Sequence, residues 1–470
     1  MTAVDTRPQS SPLPAMPPRP TRRLSTVRLL RVAQQNSLAT CDEELFDELF
    51  VARRLLGQRF FVISDPDGIR RVMQDNHDNY PRLTWIRRVF EFAGGSGMLH
   101  AEGDPWRRHR RLINPTLDHR ALLPDGKMLI ELSQEMARHL AALPSGTPID
   151  LHDAFRHLVT ISAGHVFAGT DRALDPMIDH MGQYPGPYGL LDLIPTPGVL
   201  RPLDRFRKTR IEAARFAPVL DSLIEERRDP DYAGRRDLLW RLANARDRDT
   251  GEGLSRDELH DEILTLGATS ATSLRPLPWI WYLLATHPWA ERRLHAELDQ
   301  VLGSGPPNLR DLGVRDLAKL TWLRQVLDET MRLYPPLPIM MMRRAAADDT
   351  VCGRRIPRGS VVAIIPWVVH RHRKLWQDPD RFDPERFAPE AVAARSRYSY
   401  LPFAVGPHVC VGASMAMLQL IVAVAVLARH FRFRLVPGRP VEPTAWTNIR
   451  PKNGIWMTTE PRLAVPSRAA

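Results

Sequence analysis

The chain has 470 residues, of which 43% are hydrophobic and 25% charged, and its net charge is +11. These proportions are typical of a globular protein with a substantial core, and they exclude a fibrous or wholly disordered chain. The basic residues are mixed with acids and form no nucleic-acid motif, so no nucleic acid is expected as a partner. Three cysteines without paired spacing argue against a disulfide framework and favour a reducing, cytoplasmic location.

A proline-rich stretch opens the chain. Residues 1–23 lack apolar periodicity and predict a disordered or loosely docked tail, whereas residues 24–470 predict one large domain. The opening residues show no signal-peptide pattern. The longest apolar run, residues 415–428, is interrupted by Gln419 and is too short to cross a bilayer, so no transmembrane anchor is expected.

The first regular elements follow the tail. Residues 59–63 (Arg-Phe-Phe-Val-Ile) predict a strand, and residues 64–75 predict a helix with a proline in its first turn. A second helix begins at residues 104–105 (Asp-Pro) and carries Trp106 and Arg110 at i and i+4 on one face. An indole N–H and a guanidinium aligned in this way can hold a carboxylate, although a solvated basic face is the alternative.

Helices dominate the middle of the chain. Residues 120–250 predict amphipathic helices with Pro/Gly breaks, and residues 254–287 predict one long helix capped by Ser255. Pro276 has no N–H for the carbonyl of Thr272 and costs roughly 3 kcal/mol in a regular helix. We therefore expect the helix to open beside Thr272, leaving its carbonyl free to order a water. A simple end or kink of the helix is an equal alternative.

A further amphipathic helix is predicted from Thr321 to Tyr334, ended by two prolines. It carries Glu329 and Arg332 at i and i+3, a spacing that usually marks a surface ion pair of little energetic value. After it, Arg343 follows an apolar stretch rich in methionine and precedes a predicted pair of strands.

Cys410 lies in the Gly/Pro-rich loop of residues 401–412, directly before an apolar helix predicted over residues 413–429. Backbone N–H groups at a helix N-terminus favour a thiolate, and a nearby His408 can add a donor or a charge. A thiolate held in this way suits one soft bond to iron, whereas zinc would require several clustered Cys and His ligands. The alternative is a buried structural cysteine.

Four residues of this loop, Phe403, Gly406, Cys410 and Gly412, reproduce the pattern F-x-x-G-x-x-x-C-x-G, and the chain therefore resembles a cytochrome P-450 of the soluble bacterial type. The resemblance covers about residues 55 to 460. It implies a mainly α fold with a small β-rich region, and it makes Cys410 the proximal ligand of the iron in haem b.

Other residues acquire roles from the same resemblance. Those expected to contact the cofactor are Trp106, Arg110, Arg343, Phe403, His408, Cys410 and Gly412. Glu329 and Arg332 match the family's E-x-x-R sequence, with Arg386 as the third member of a buried structural triad.

The resemblance also implies a distal site on the helix of residues 254–287, where the family has a small residue, a glycine, an acid and a threonine. Ala268, Ala271 and Thr272 occupy the matching positions. Thr272 fits the pattern, but Ala271 replaces the acid and can carry no proton. The family's acid and alcohol together organise the water that supplies protons, so proton delivery here is expected to differ.

The function implied is that of a monooxygenase that uses O2 to hydroxylate a small apolar or aromatic substrate. No flavin or iron–sulfur motif accompanies the haem domain, so a separate ferredoxin or flavodoxin with its reductase is expected to supply electrons. Two alternatives remain at this stage. One is a peroxide-driven or isomerase-like haem-thiolate enzyme, favoured by Ala271, and the other is a non-enzymatic haem protein.

Overall fold

The structure is a computed structural model that describes residues 11–83, 97–169, 207–270, 272–303, 314–339 and 341–462. Helices are the main element of these residues. They are α1 (Thr26–Gln35), α2 (Glu44–Asp47), α3 (Pro66–Arg70), α4 (Gly103–Ile113), α5 (His119–Leu122), α6 (Asp125–Ala141), α7 (Leu151–Ala168), α8 (Arg207–Arg228), α9 (Leu238–Ala243), α10 (Arg256–Ser270), α11 (Leu277–Thr286), α12 (Pro288–Leu302), α13 (Val314–Leu317), α14 (Thr321–Leu333), α15 (Pro366–Val369), α16 (Pro389–Ala393) and α17 (Ala413–His430).

Strands form small sheets at the edge of the helical body. They are β1 (Phe50–Leu55), β2 (Gln58–Ile63), β3 (Ile149–Asp150), β4 (Met341–Arg344), β5 (Asp349–Val351), β6 (Arg354–Ile356), β7 (Val361–Ile364), β8 (Phe431–Leu435), β9 (Pro443–Ala445), β10 (Ile449–Pro451) and β11 (Trp456–Pro461). The largest sheet has the order β1-β2-β7-β4, in which only the β2/β7 pair is parallel. The mainly α fold with a small β-rich region is thus confirmed.

Helix α17 lies at the centre of the fold. It is apolar around most of its circumference and almost wholly buried, as expected of a helix surrounded by other elements. It packs on α6, α12 and α14. Among the described residues it is the one helix long and apolar enough to cross a membrane by length and composition, but 83% of it is buried inside the protein. Its apolar sequence is therefore accounted for by the core.

The helix predicted over residues 254–287 is two helices, α10 and α11, joined by a turn. Ser255 caps α10 as predicted: Glu258 N–H donates to the Ser255 hydroxyl, and Ser255 N–H donates to the Glu258 carboxylate. The opening lies beside Thr272, but the carbonyl of Thr272 accepts the N–H of Arg275 at 3.3 Å. The prediction of a free carbonyl was therefore wrong, because the chain tightens into short-range turns before Pro276.

The described part of the proline-rich stretch, residues 11–23, is docked on the protein. Pro14 and Pro17 are buried. The backbone of Ala15 receives a hydrogen bond from the hydroxyl of Tyr334, which caps the end of α14, and donates one to the Tyr282 hydroxyl on α11. Arg19 pairs with Asp380 at 2.5 Å. This segment therefore spans helices far apart in the sequence.

Candidate functional site

The loop that carries Cys410 is held by its own backbone. Cys410 N–H donates to the Phe403 carbonyl at 2.8 Å, and Val409 N–H donates to the Gly406 carbonyl at 3.0 Å. Gly406 has φ +76°, and a Cβ atom there would lie 2.0 Å from the carbonyl oxygen of Met73. A side chain at residue 406 would therefore clash with the neighbouring backbone, which explains the glycine.

The Cys410 side chain is accessible to solvent, although protein atoms surround it closely. Burial raises its pKa, while the Gly412 N–H and the Arg110 guanidinium act to lower it. The Gly412 N–H thus favours the thiolate, as expected at the start of α17, while burial, the larger effect, opposes it. A coordinated cation would reverse this balance, because a metal ion stabilises the thiolate directly.

Cationic groups surround the ring of His408. Its Nδ1 atom lies 2.6 Å from a guanidinium nitrogen of Arg82, and its ring stacks on Trp106 with centroids 4.0 Å apart. Burial and the charges of Arg82, Arg343, His77 and Arg110 lower the His408 pKa to about 2. His408 is therefore a neutral ring in a strongly positive environment, and not the additional positive charge that was one of the two roles foreseen for it.

Among the residues that the structure describes, the positive charge of this cluster exceeds the negative charge beside it. Within the described ranges, neither Arg110 nor Arg343 forms an ion pair with a carboxylate, and Glu102 lies 3.5 Å from Arg82. Arg343 is 8% exposed, and burial and the neighbouring Arg82 lower its pKa to about 10. Buried charges need partners. The cluster thus fits a ligand with two carboxylates, as haem has.

Arg82 belongs to this site without having been predicted from the sequence. Arg82 is brought to the site by backbone pairing with Arg343 and by its hydrogen bonds to the carbonyls of Leu99 and Ala101. No local pattern around residue 82 marks it, since the pairing joins segments far apart in the sequence.

The predicted triad residues lie together on and beside α14. Arg332 and Glu329 form two hydrogen bonds of 2.6 and 2.7 Å, and both side chains are fully buried. Arg386 lies 3.7 Å from Glu329. Arg332 also donates to the carbonyls of His370, Pro379 and Arg381, which leaves its charge well compensated.

His370 connects this group to the Cys410 loop. Its Nδ1 atom lies 3.2 Å from the Arg332 carbonyl, and its Nε2 atom accepts the Leu401 N–H at 2.7 Å. This role of His370 was not predicted from the sequence. A histidine followed by arginine after a strand gives no signal of its own without knowledge of the fold.

The distal residues lie at the end of α10. The Thr272 hydroxyl donates to the Thr269 carbonyl at 2.7 Å, and the Thr269 hydroxyl lies 3.0 Å from the Thr265 carbonyl. Ala268 belongs to α10, and Ala271 lies outside the described residues. Thr272 is half-buried, so its hydroxyl oxygen can still accept a hydrogen bond.

Comparison with known proteins agrees with this geometry. A family model described as cytochrome P-450 matches residues 17–462. A putative cytochrome P-450 132 of Mycobacterium bovis is 31% identical over 86% of this chain and 88% of its own length. Cyclooctatin synthase of Streptomyces melanosporofaciens is 32% identical over 79% of this chain and 78% of its own length.

The fold agrees as well. A cyanobacterial protein solved with bound retinoic acid superposes with a TM-score of 0.76 and 23% identity, covering 97% of this chain and all of the other. Because the sequence identity is low, this similarity supports the fold alone. Taken with the family match over nearly the whole length, these similarities establish that the chain belongs to the cytochrome P-450 family and is a cytochrome P-450 monooxygenase.

Proposed function

We propose that the enzyme binds haem b through Cys410 and hydroxylates an apolar substrate with oxygen from O2. The observation that carries this proposal is the combination of one enclosed thiol with the positive cluster of Arg82, Arg110 and Arg343. When bound, the haem supplies oxygen activation and its thiolate ligand promotes cleavage of the O–O bond.

The chain's own residues hold the cofactor in this proposal. Trp106 and His408 stack, and the three arginines neutralise the two propionate carboxylates. Phe403 and Gly412 fix the position of Cys410 through their backbone groups, and the triad on and beside α14 stabilises the scaffold that His370 connects to this loop. Thr272 provides a hydroxyl beside the opening between α10 and α11.

Relatives of known activity narrow the substrate class. Besides cyclooctatin synthase, they include a cyclooctat-9-en-7-ol 5-monooxygenase from the same Streptomyces and a pentalenene oxygenase of Streptomyces avermitilis, at 30% and 27% identity. These names describe terpenoid compounds. Within the class of small apolar or aromatic molecules, we therefore favour a terpenoid for this enzyme.

Electrons are proposed to come from a separate ferredoxin or flavodoxin and its reductase. Three cysteines cannot ligate an iron–sulfur cluster through four thiolates, so an all-cysteine cluster cannot form within these 470 residues. All three are free thiols, in keeping with a reducing cytoplasmic location.

Spectroscopy followed by product analysis tests the proposal. The reduced holoprotein with carbon monoxide should show the difference band of thiolate ligation, and Cys410→Ser should lose it. A terpenoid panel including cyclooctat-9-en-7-ol should then be screened for a low-spin to high-spin Soret shift. Products formed under labelled O2 should carry one labelled oxygen. Turnover with peroxide alone and none with O2 would instead support the peroxygenase alternative.

A further inference from the structure

His109 lies between two glutamates of α10, one partly exposed to solvent and one buried. On α4, His109 has its Nδ1 atom 2.6 Å from Glu262 and its Nε2 atom 3.3 Å from Glu258. Because both ring nitrogens face carboxylate oxygens, both carry protons and the ring is an imidazolium. Hydrogen bonding to Glu262 and the charges of both glutamates raise the His109 pKa, in spite of burial.

The two carboxylates differ in their access to water. The Glu258 side chain is 31% exposed, whereas those of Glu262 and His109 are 0% and 6% exposed. Protons can therefore enter at Glu258, whereas Glu262 can receive them only through the protein. A histidine with this arrangement can pass a proton from one side to the other.

One carboxylate oxygen of Glu262 is available for a further hydrogen bond. Its Oε1 atom accepts the Met98 N–H and faces His109, but Oε2 is buried and has no hydrogen-bond partner among the described residues. The same holds for the hydroxyl of Thr265, one turn later, within the part of the chain that the structure describes. Unpartnered buried polar atoms are costly, and an ordered water between such groups relieves the cost.

These groups begin a polar stripe on α10. Glu262, Thr265 and Thr269 are spaced by three and four residues, which places them on one face of the helix, and Thr272 follows three residues later at its end. The stripe covers about 15 Å, and waters between successive hydroxyls can close it into a hydrogen-bonded chain.

We propose that Glu258, His109 and Glu262 form a proton relay that feeds the distal end of α10 along this stripe and replaces the acid absent at residue 271. The inference rests on the proposed monooxygenase function and adds the source of its protons. Neither the family match nor the relatives' names assign a role to these three residues.

Each transfer moves one proton and no electron. The Nδ1 proton of His109 passes to Glu262, the carboxylic acid releases a proton towards Thr265, and His109 regains one from solvent beside Glu258. Hydroxylation consumes two protons per turnover, since a C–H substrate, O2, two electrons and two protons give the alcohol and one water. The redox partner supplies the electrons.

The test uses the holoenzyme with NADPH, a surrogate ferredoxin and its reductase, and no added substrate. O2 is then reduced either to H2O2 with two protons or to water with four. Glu262→Gln keeps both hydrogen-bond contacts of Oε1 but cannot carry a proton. We expect the water-forming branch to fall about tenfold or more, with more H2O2 per O2 consumed.

Two further variants and one control reaction test whether the change in H2O2 yield is specific to the relay. Thr265→Val removes a hydroxyl that bonds to none of the described residues, so it should shift the H2O2 yield in the same direction without disturbing the fold. Glu291→Gln changes a buried carboxylate on α12 that pairs with Arg434, and should leave the yield unchanged. The control reaction is the oxidation of guaiacol driven by H2O2, because H2O2 already carries protons that O2 must acquire. The rate of this reaction should change less than about twofold in Glu262→Gln.

A measurement on the haem-free protein tests the relay independently of turnover. NMR titration should show the His109 pKa above its ordinary value and reduced in Glu262→Gln. An unmoved His109 pKa, or a wild-type H2O2 yield in Glu262→Gln with a normal carbon monoxide band, overturns the relay. If the wild type consumes no O2 with this reductase, the monooxygenase proposal fails and the relay fails with it.

Discussion

The imidazole of His370 accepts the backbone N–H of Leu401 at 2.7 Å, where the loop towards Cys410 begins. Burial and the nearby charges of Arg332 and Arg371 lower the His370 pKa well below its ordinary value. The ring is therefore neutral. Its Nε2 atom can accept the N–H of Leu401 while its Nδ1 atom donates to the backbone carbonyl of Arg332. The His370 side chain thus connects α14 to the loop that carries Cys410 by two hydrogen bonds.

His370→Phe should weaken this connection. The Leu401 N–H would lose its acceptor, at a cost of about 1–3 kcal/mol in the free energy of unfolding. We expect a smaller share of thiolate-ligated protein in the carbon monoxide difference spectrum. His372→Phe is the matched control: within the described residues this buried ring hydrogen-bonds the backbone of Lys374 and Glu48 and not the Cys410 loop, so its loss should leave the spectrum unchanged. Equal spectra for the two variants would contradict the proposed link.

Two glycines with the same backbone conformation allow a clean comparison. Gly406 and Gly438 both have φ +76°, but a Cβ atom at residue 438 would meet nothing within 4 Å. Gly438→Ala should therefore cost only the strain of a positive φ, about 1 kcal/mol. Gly406→Ala adds the clash with Met73 and should abolish stable haem incorporation. Haem content and thermal unfolding measure both effects, and similar losses in the two variants would refute the clash argument.

Neighbouring arginines on β4 test the positive cluster. Arg343 is buried at the site, whereas Arg344 is exposed on the other face of the strand. Arg343→Gln should speed the transfer of haem to an apomyoglobin acceptor by about tenfold or more, which corresponds to the loss of one charge-assisted hydrogen bond. Arg344→Gln should leave the transfer rate at the wild-type value. If both variants release haem at the same rate, Arg343 does not hold a propionate.

Asp349 gives the fold a defined acid sensitivity. Burial acts to raise its pKa, but hydrogen bonds from Arg71, Asn76 and Tyr80 lower it to about 2. A carboxylate with a depressed pKa stabilises the fold above its unfolded pKa, and this contribution disappears as the pH falls from about 4 to about 2. We estimate it at about 1–2 kcal/mol.

Asp349→Asn should remove that pH dependence. Urea unfolding at several pH values should show a variant less stable than the wild type at neutral pH, with the difference shrinking through the same acid range. Asp67→Asn, at a carboxylate that is 92% exposed, should leave the curve unchanged. A constant stability difference between Asp349→Asn and wild type at all pH values would argue against the pKa explanation.

Much of the fold could be predicted because its signals are local. The helix from Thr321 and the strand near residues 59–63 follow from apolar periodicity, and the cap follows from a serine at the start of the helix at residue 255. The Cys410 loop is similarly local, since its glycines and its hydrogen bond to Phe403 all lie within residues 401–412.

The rest depends on contacts between distant segments. Arg82 meets His408 and Glu262 meets His109 only after strands and helices have paired, and no spacing in the sequence encodes either contact. The length of the helix around Thr272 was also overestimated, because apolar periodicity continues across Pro276 while the backbone does not. Long-range pairing and backbone breaks are therefore the main limits of the sequence argument.

The docking of residues 11–23 has a consequence for biosynthesis. Ala15 is bound by Tyr282 and Tyr334, and Arg19 by Asp380, partners that lie 267, 319 and 361 residues further along the chain. A ribosome makes this segment long before these partners, so its binding surface is complete only when residues up to Asp380 have emerged. A segment made so long before its partners is thus among the last that can reach its final place.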